Sequence, residues 1–123
     1  MTRFVHIHNL DIPSATSVRV KYCESYLCRL RGLTLRKPLA LDEGLLLVQK
    51  SDSRLDASIH MLGVSFDLAV IWIDSSLTVV DKVLAKSWRP AYAPQKGAKY
   101  ILEIHSNHLD DYSVGNKVEI QDA

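Results

Sequence analysis

Apolar and polar positions alternate at the start of the chain. Val5, Ile7 and Asn9 fall on one side of an extended segment, and Phe4, His6, His8 and Leu10 on the other. This is the period of a first strand. Ile12-Pro13-Ser14 reads as a turn, because Pro fixes φ and Ser competes for local backbone bonds. Val18 and Val20 then alternate with Arg19 and Lys21, the signature of a half-buried second strand. From Glu24 the period changes. Tyr26, Leu27, Leu30 and Leu33 follow helical spacing, Glu24 and Arg29 with Arg31 suit the two ends of a helix dipole, and Gly32 suits its C-terminal cap.

Beyond Lys37-Pro38 the pattern returns to extended chain. Asp42-Glu43-Gly44 predicts a turn into Leu45-Leu46-Leu47-Val48, a run apolar on both faces. The polar stretch from Lys50 to Asp56 predicts a mobile loop, and Ile59 to Met61 resumes extended structure. Leu68-Ala69-Val70-Ile71-Trp72-Ile73 is the strongest strand signal and is expected at the core. Leu77 to Lys86 carries Asp81-Lys82 inside it, which predicts a bulged or partly exposed strand. Pro90, Pro94 and Gly97 mark an irregular segment. Tyr100, Leu102 and Ile104 alternate with Ile101, Glu103 and His105 in a further strand. Ser106 is placed to cap one helical turn over residues 107–112, and Gly115-Asn116 turns the chain into a last strand, Lys117 to Ile120. Seven or eight short strands with one or two short helices, joined by short links, predict a mainly β, mostly antiparallel domain, either a barrel or a sandwich.

The 123 residues suit one domain spanning the whole chain, 1–123. A composition of 47% hydrophobic and 24% charged residues is that of a soluble globular protein rather than a disordered one. The net charge of +1 removes the usual electrostatic case for nucleic acid and for an anionic membrane surface. The longest apolar run, Leu68 to Ile73, is far shorter than a bilayer span. The first ten residues carry Arg3, His6 and His8 in place of a continuous apolar signal core. A cytoplasmic protein is therefore expected. Cys23 and Cys28 lie five positions apart and, on a helix, would face different directions, so two free thiols are expected.

The order of motifs resembles the prokaryotic domain-of-unknown-function family 192. Arg29-Leu30-Arg31-Gly32-Leu33 resembles its R-L-R-G-L helix end, and Asp42 to Leu47 its G-E-G-L-L-L strand. Ile59-His60-Met61 and Val70 to Asp74 resemble parts of its I-H-T-F-F-M-R-F-P-I-D-V-V-F-L-D stretch. Ser87-Trp88-Arg89-Pro90 with Ala93-Pro94 resembles its P-W-R and S-P segment, and Gly97 to Glu103 its G-A-x-x-V-L-E-L strand. Gly115-Asn116-Lys117-Val118 resembles its closing G-D-x-L, and His8-Asn9-Leu10 an N-L-T opening. The resemblance covers essentially the whole chain. It implies a compact, mainly β domain with a helix after the second strand, and no particular activity. Ser65, Asp67 and Ala69 stand where the family has Arg, Pro and Asp, and Thr34 where it has Met. A charged family site built on that Arg and Asp would be lost here, unless Asp67 substitutes from two residues earlier.

Candidate chemistry is sparse. His6 and His8 share a strand face and could begin a metal site with His105, His108 or Asp110, but no spacing ties a third ligand to them, and no metal or other cofactor is expected. His60 could act as a general base, with Glu43 or Asp67 as its carboxylate partner. Arg29, Arg31, Arg36 and Lys37 form a basic cluster that could hold one small anionic ligand. Trp88-Arg89 pairs an aromatic with a cation in a Pro-rich segment, which suits either a recognition surface or the closure of a barrel end. Arg29, Glu43, His60, Trp88 and Arg89 are the candidate binding residues. The expected function is non-enzymatic binding of a small molecule or a protein. The alternatives are a hydrolase-like enzyme built on His60, and a structural module that self-associates as a weak homodimer.

Overall fold

The computed structural model describes residues 3–25, 28, 38–89 and 91–123. Within them lie seven strands: β1 (Phe4–Asn9), β2 (Val18–Cys23), β3 (Gly44–Ser53), β4 (Leu68–Ile73), β5 (Val79–Ala85), β6 (Ala98–His105) and β7 (Val118–Asp122). A 3-10 helix, Ser106–Asp111, follows β6, and the expectation of a mainly β fold holds. The expected helix from Glu24 to Arg31 falls mostly outside the described residues. No described helix is long and apolar enough to cross a membrane.

The strands form one sheet in the order β5-β4-β6-β3-β2-β1-β7. Its two edges meet at one end. Val79 donates to the Asn116 carbonyl at 2.9 Å, Gly115 to Val79 at 2.8 Å and Val118 to Leu77 at 3.0 Å. The sheet is thereby curled into a half-barrel. Val5, Val20, Leu46, Ile71, Val79, Leu102 and Val118, one or more from every strand, form a single buried cluster in the concave interior. The outer face of the middle strands has its own cluster. There Leu45, Leu47, Leu68, Val70, Trp72 and Ile101 pack with Leu39, Ala57, Ile59, Met61 and Val64 from the connecting segments. β4 is consequently buried at all six positions. A strand covered on both faces has no polar side, so its sequence is an unbroken apolar run.

Five of the six strand pairings among the described residues are antiparallel, as expected, with one exception, and two other expectations need correction. β2 and β3 are parallel, with Lys21 opposite Leu45 and Cys23 opposite Leu47. A parallel pair requires a crossover, and the link from Glu24 to Glu43 supplies it. Residues 50–53 do not form a loop. They extend β3 past a register shift, and Ser53 pairs with Ala98. Polar side chains can occupy this part of the strand because Lys50, Ser51 and Asp52 face solvent. Finally, Cys23 and Cys28 form a disulfide with Cα atoms 5.7 Å apart. The free-thiol expectation took both residues to lie on one helix. Cys23 instead ends β2, and that brings the two Cβ atoms within bonding reach.

The bulge in β5 is present: Trp72 faces Asp81 but Ile73 faces Val79, so Val80 is left over. Gly44 is where three strands crowd together. A Cβ there would lie 2.8 Å from the Glu103 carbonyl oxygen, from Ile104 Cγ2 and from Val20 Cγ1.

Candidate functional site

The start of β3, the start of β4 and the end of β6 share one end of the sheet, since Gly44 and Ala69 both face Ile104 and Leu68 faces His105. An open cleft of about 200 Å³ lies there, lined by Pro38, Leu39, Phe66, Asp67, His105 and Ser106. Phe66, Leu39 and Pro38 supply apolar wall, and Asp67, His105 and Ser106 supply polar groups, the combination that small-molecule sites use.

Asp67 and His105 are held in place by hydrogen bonds. Asp67 Oδ1 accepts the Ser87 N–H at 2.9 Å, and Oδ2 faces Lys86 Nζ at 3.4 Å. The Ser87 N–H and the Lys86 charge keep the Asp67 carboxyl below the usual carboxylate range. At neutral pH Asp67 therefore presents an ionised carboxylate to the cleft, paired with the Lys86 ammonium. His105 Nδ1 accepts the Asn107 N–H at 3.0 Å, so His105 rather than Ser106 caps the 3-10 helix. An acceptor at Nδ1 leaves the ring proton on Nε2, which is then a donor. Next to this end, His108 bridges two acceptors. Its Nδ1 lies 2.9 Å from Asp111 Oδ2 and its Nε2 hydrogen-bonds the Leu41 carbonyl. The ring thus spans the Asp111 carboxylate and the Leu41 carbonyl. The bond to Leu41 ties the 3-10 helix to the segment that leads from Pro38-Leu39 into β3.

Glu103 lies on the same outer face as His105, two positions back along β6, between Leu45 of β3 and Val70 of β4. It is only 5% exposed, and its Oε1 is buried without a hydrogen-bond partner among the described residues. Burial pushes its carboxyl up to about 7. The alternation of β6 reads as one apolar and one polar face, and for that reason Glu103 attracts no notice in the sequence. β6 is central, both of its faces are covered, and a charged residue on it is forced into the core.

The candidates read from the sequence fall in different places. Glu43 accepts the Ala40 N–H at 2.8 Å through Oε1 and so closes the turn ahead of β3. His60 is exposed, between Ile59 and Met61. Trp88 and Arg89 are exposed and lie beside this segment: Met61 donates to the Arg89 carbonyl at 2.8 Å and Trp88 to the Met61 carbonyl at 3.0 Å. Trp88 is 59% exposed and holds a left-handed backbone at φ 63°, a conformation that costs a non-glycine residue free energy. His60, Trp88 and Arg89 thus share one loop cluster, which Asp67 joins to the cleft through Ser87. Arg29, with Arg31, Arg36 and Lys37, lies outside the described residues. Ala69 belongs to the interior cluster and Asp67 to the outer cleft, so Asp67 does not stand in at the Ala69 position. Among the described residues no three His, Cys, Asp or Glu side chains gather in a way that could hold a metal.

Comparison with known proteins agrees with this architecture. The crystal structure of a Sinorhizobium meliloti protein, described provisionally as a transcription regulator, superposes with a TM-score of 0.83 at 18% identity, over 98% of this chain and 94% of that one. A Novosphingobium aromaticivorans protein of unknown function superposes with a TM-score of 0.79 at 16% identity, over 96% and 84%. At such identities the likeness is one of fold. In sequence, a UPF0127 protein of Thermococcus kodakarensis is 45% identical over 85 residues, 69% of this chain and 52% of the relative. The chain thus spans about half the length of that relative. A UPF0127 protein of Pyrococcus furiosus is 33% identical over 104 residues, 83% of this chain and 86% of the relative. The family model for domain-of-unknown-function family 192, described as "Uncharacterized ACR", matches residues 8–120, and this chain belongs to that family.

Proposed function

We propose that this chain is a binding domain for a small molecule, taken up in the cleft between Leu39, Phe66, Asp67, His105 and Ser106. The observation that carries this reading is the meeting of a fixed carboxylate, an imidazole N–H and a hydroxyl on an apolar wall. A rigid site of this kind loses little entropy on binding. The test is a thermal-shift and NMR screen of a fragment library against the wild type and the variants S106A, H105A and D67A. Hits should perturb the Phe66 and His105 amides and lose at least tenfold in affinity in one or more variants. The reading falls if no fragment binds, or if those that bind are indifferent to all three substitutions.

A cytoplasmic location belongs to the same proposal. It requires the Cys23–Cys28 bond to persist there, as disulfides do in the cytosol of hyperthermophiles but rarely elsewhere. Alkylation of thiols at the moment of cell lysis reads this directly. Two modified cysteines would count against the bond in that compartment.

A further inference from the structure

We propose that the exposed patch of Leu62, Trp88 and Arg89 is a docking surface for a protein segment that carries an apolar anchor beside acidic side chains. The patch lies outside the cleft and stands independently of the ligand proposed there.

The backbone beneath Trp88 is fastened at each step. The Lys86 N–H donates to the Tyr92 hydroxyl at 2.8 Å, Ser87 to Asp67 Oδ1 at 2.9 Å, Trp88 to the Met61 carbonyl at 3.0 Å and Arg89 to the Lys86 carbonyl at 3.3 Å. Yet the side chain held this way is exposed and belongs to neither apolar cluster. Trp72 shows the opposite use of an indole: it is buried, and its Nε1 donates to the Ala57 carbonyl at 2.8 Å. Trp88 also keeps φ at 63°. Strain of this kind persists where the surroundings impose it, and it collects at binding sites. Leu62 completes the apolar part. The Val64 N–H closes a turn on the Met61 carbonyl at 3.0 Å, Gly63 takes φ 79°, and Leu62 is exposed within that turn. The same carbonyl accepts the Trp88 N–H, so both exposed side chains are anchored at one point. A fixed aromatic next to an arginine is the composition of interface hot spots.

Charge selects the partner. Apart from His60, residues 59–67 and 86–89 carry two cations, Lys86 and Arg89, and one carboxylate, Asp67. Asp67 is paired with Lys86. The exposed Arg89 guanidinium is left as the uncompensated charge, and a carboxylate of the partner would pair with it. One such cation is far short of the basic cluster that holds a protein at an anionic membrane. A second copy presenting the same patch would set guanidinium against guanidinium.

The probe is a phage-displayed library of short random peptides, selected against the intact chain, with NMR titration of the enriched peptides. These should place Leu, Phe or Trp beside Asp or Glu, and should perturb the Leu62, Trp88 and Arg89 amides. Trp88→Gly removes the indole at a position whose φ glycine adopts freely. It should keep the wild-type Tm or raise it, and should weaken the peptides about tenfold or more. Arg89→Glu should weaken them by a similar factor, and added salt should weaken them more in the wild type than in Arg89→Glu. Should Trp88→Gly not fold, Arg89→Glu, which alters an exposed side chain, decides the same point. The inference is overturned if no peptide is selected, if the selected peptides lack acidic residues, or if either folded variant binds them like the wild type. It is also overturned if light scattering shows a wild-type dimer that Trp88→Gly dissociates, because a second copy then covers the patch.

Discussion

Asp67 and Ser87, twenty residues apart in the chain, are joined by a 2.9 Å hydrogen bond from the Ser87 N–H to the Asp67 carboxylate. One acidic side chain thereby connects the cleft to the loop that displays Trp88. The D67N variant keeps the shape but weakens a charge-assisted bond. Hydrogen exchange at the Ser87 amide should accelerate by about five- to tenfold, a loss of roughly 1 kcal/mol. The folded Asp67 titrates below its unfolded value of 3.8. Its contribution is therefore present at neutral pH and disappears as pH falls through the acid range. Unchanged exchange in D67N would show that the loop is held by other means.

Glu103 has the opposite sign. Its carboxyl is raised from 4.5 to about 7, so the unfolded chain releases the proton first. Stability should fall as pH rises from about 4.5 to about 7, by up to about 3 kcal/mol. In E103L this slope should vanish and the apo protein should gain stability near pH 8. Urea denaturation across that range reads both. A wild-type curve without the slope would mean that Glu103 finds a partner in solution.

His108 holds the 3-10 helix against the Leu41 segment through two acceptors. H108A should cost about 2–3 kcal/mol, because the Leu41 carbonyl and Asp111 lose their donor together. Chemical denaturation should show it, with D111N costing less. A loss below about 0.5 kcal/mol would demote the bridge to a surface contact.

The crowding at Gly44 involves backbone as well as side chains, all at 2.8 Å. The neighbours cannot give way cheaply. G44A should lose about 2–3 kcal/mol and lower the Tm by roughly 10 °C. A Tm within a few degrees of wild type would mean that β3 can shift away from β6.

The Cys23–Cys28 bond closes a short loop, with a sequence separation of 5. By chain entropy its reduction should cost roughly 2 kcal/mol. A calorimetric scan with and without a phosphine reductant reads the difference. No change in Tm would show that the bond adds nothing measurable to the stability of the fold.

Local patterning carried much of the fold. β4 was legible to the residue, from Leu68 to Ile73, because burial on both faces leaves an apolar run that no partner choice can alter. The β5 bulge was legible in the Asp81-Lys82 interruption. The site was far less so. His60 and Trp88 stand out by residue type, whereas Glu103 and His105 matter through what lies beside them, and a period of two cannot report what covers a face.

The amino-acid sequence by itself determined the family, the mainly β character and the positions of most strands, since these depend on short-range periodicity and turn chemistry. Only the tertiary structure decided the parallel pairing of β2 with β3, the disulfide, the burial of Glu103 and the meeting of Asp67 with His105. Each of these depends on which distant segments become neighbours. Neighbour choice is set by the closure of the whole sheet over two apolar clusters, and no local window of residues contains that information.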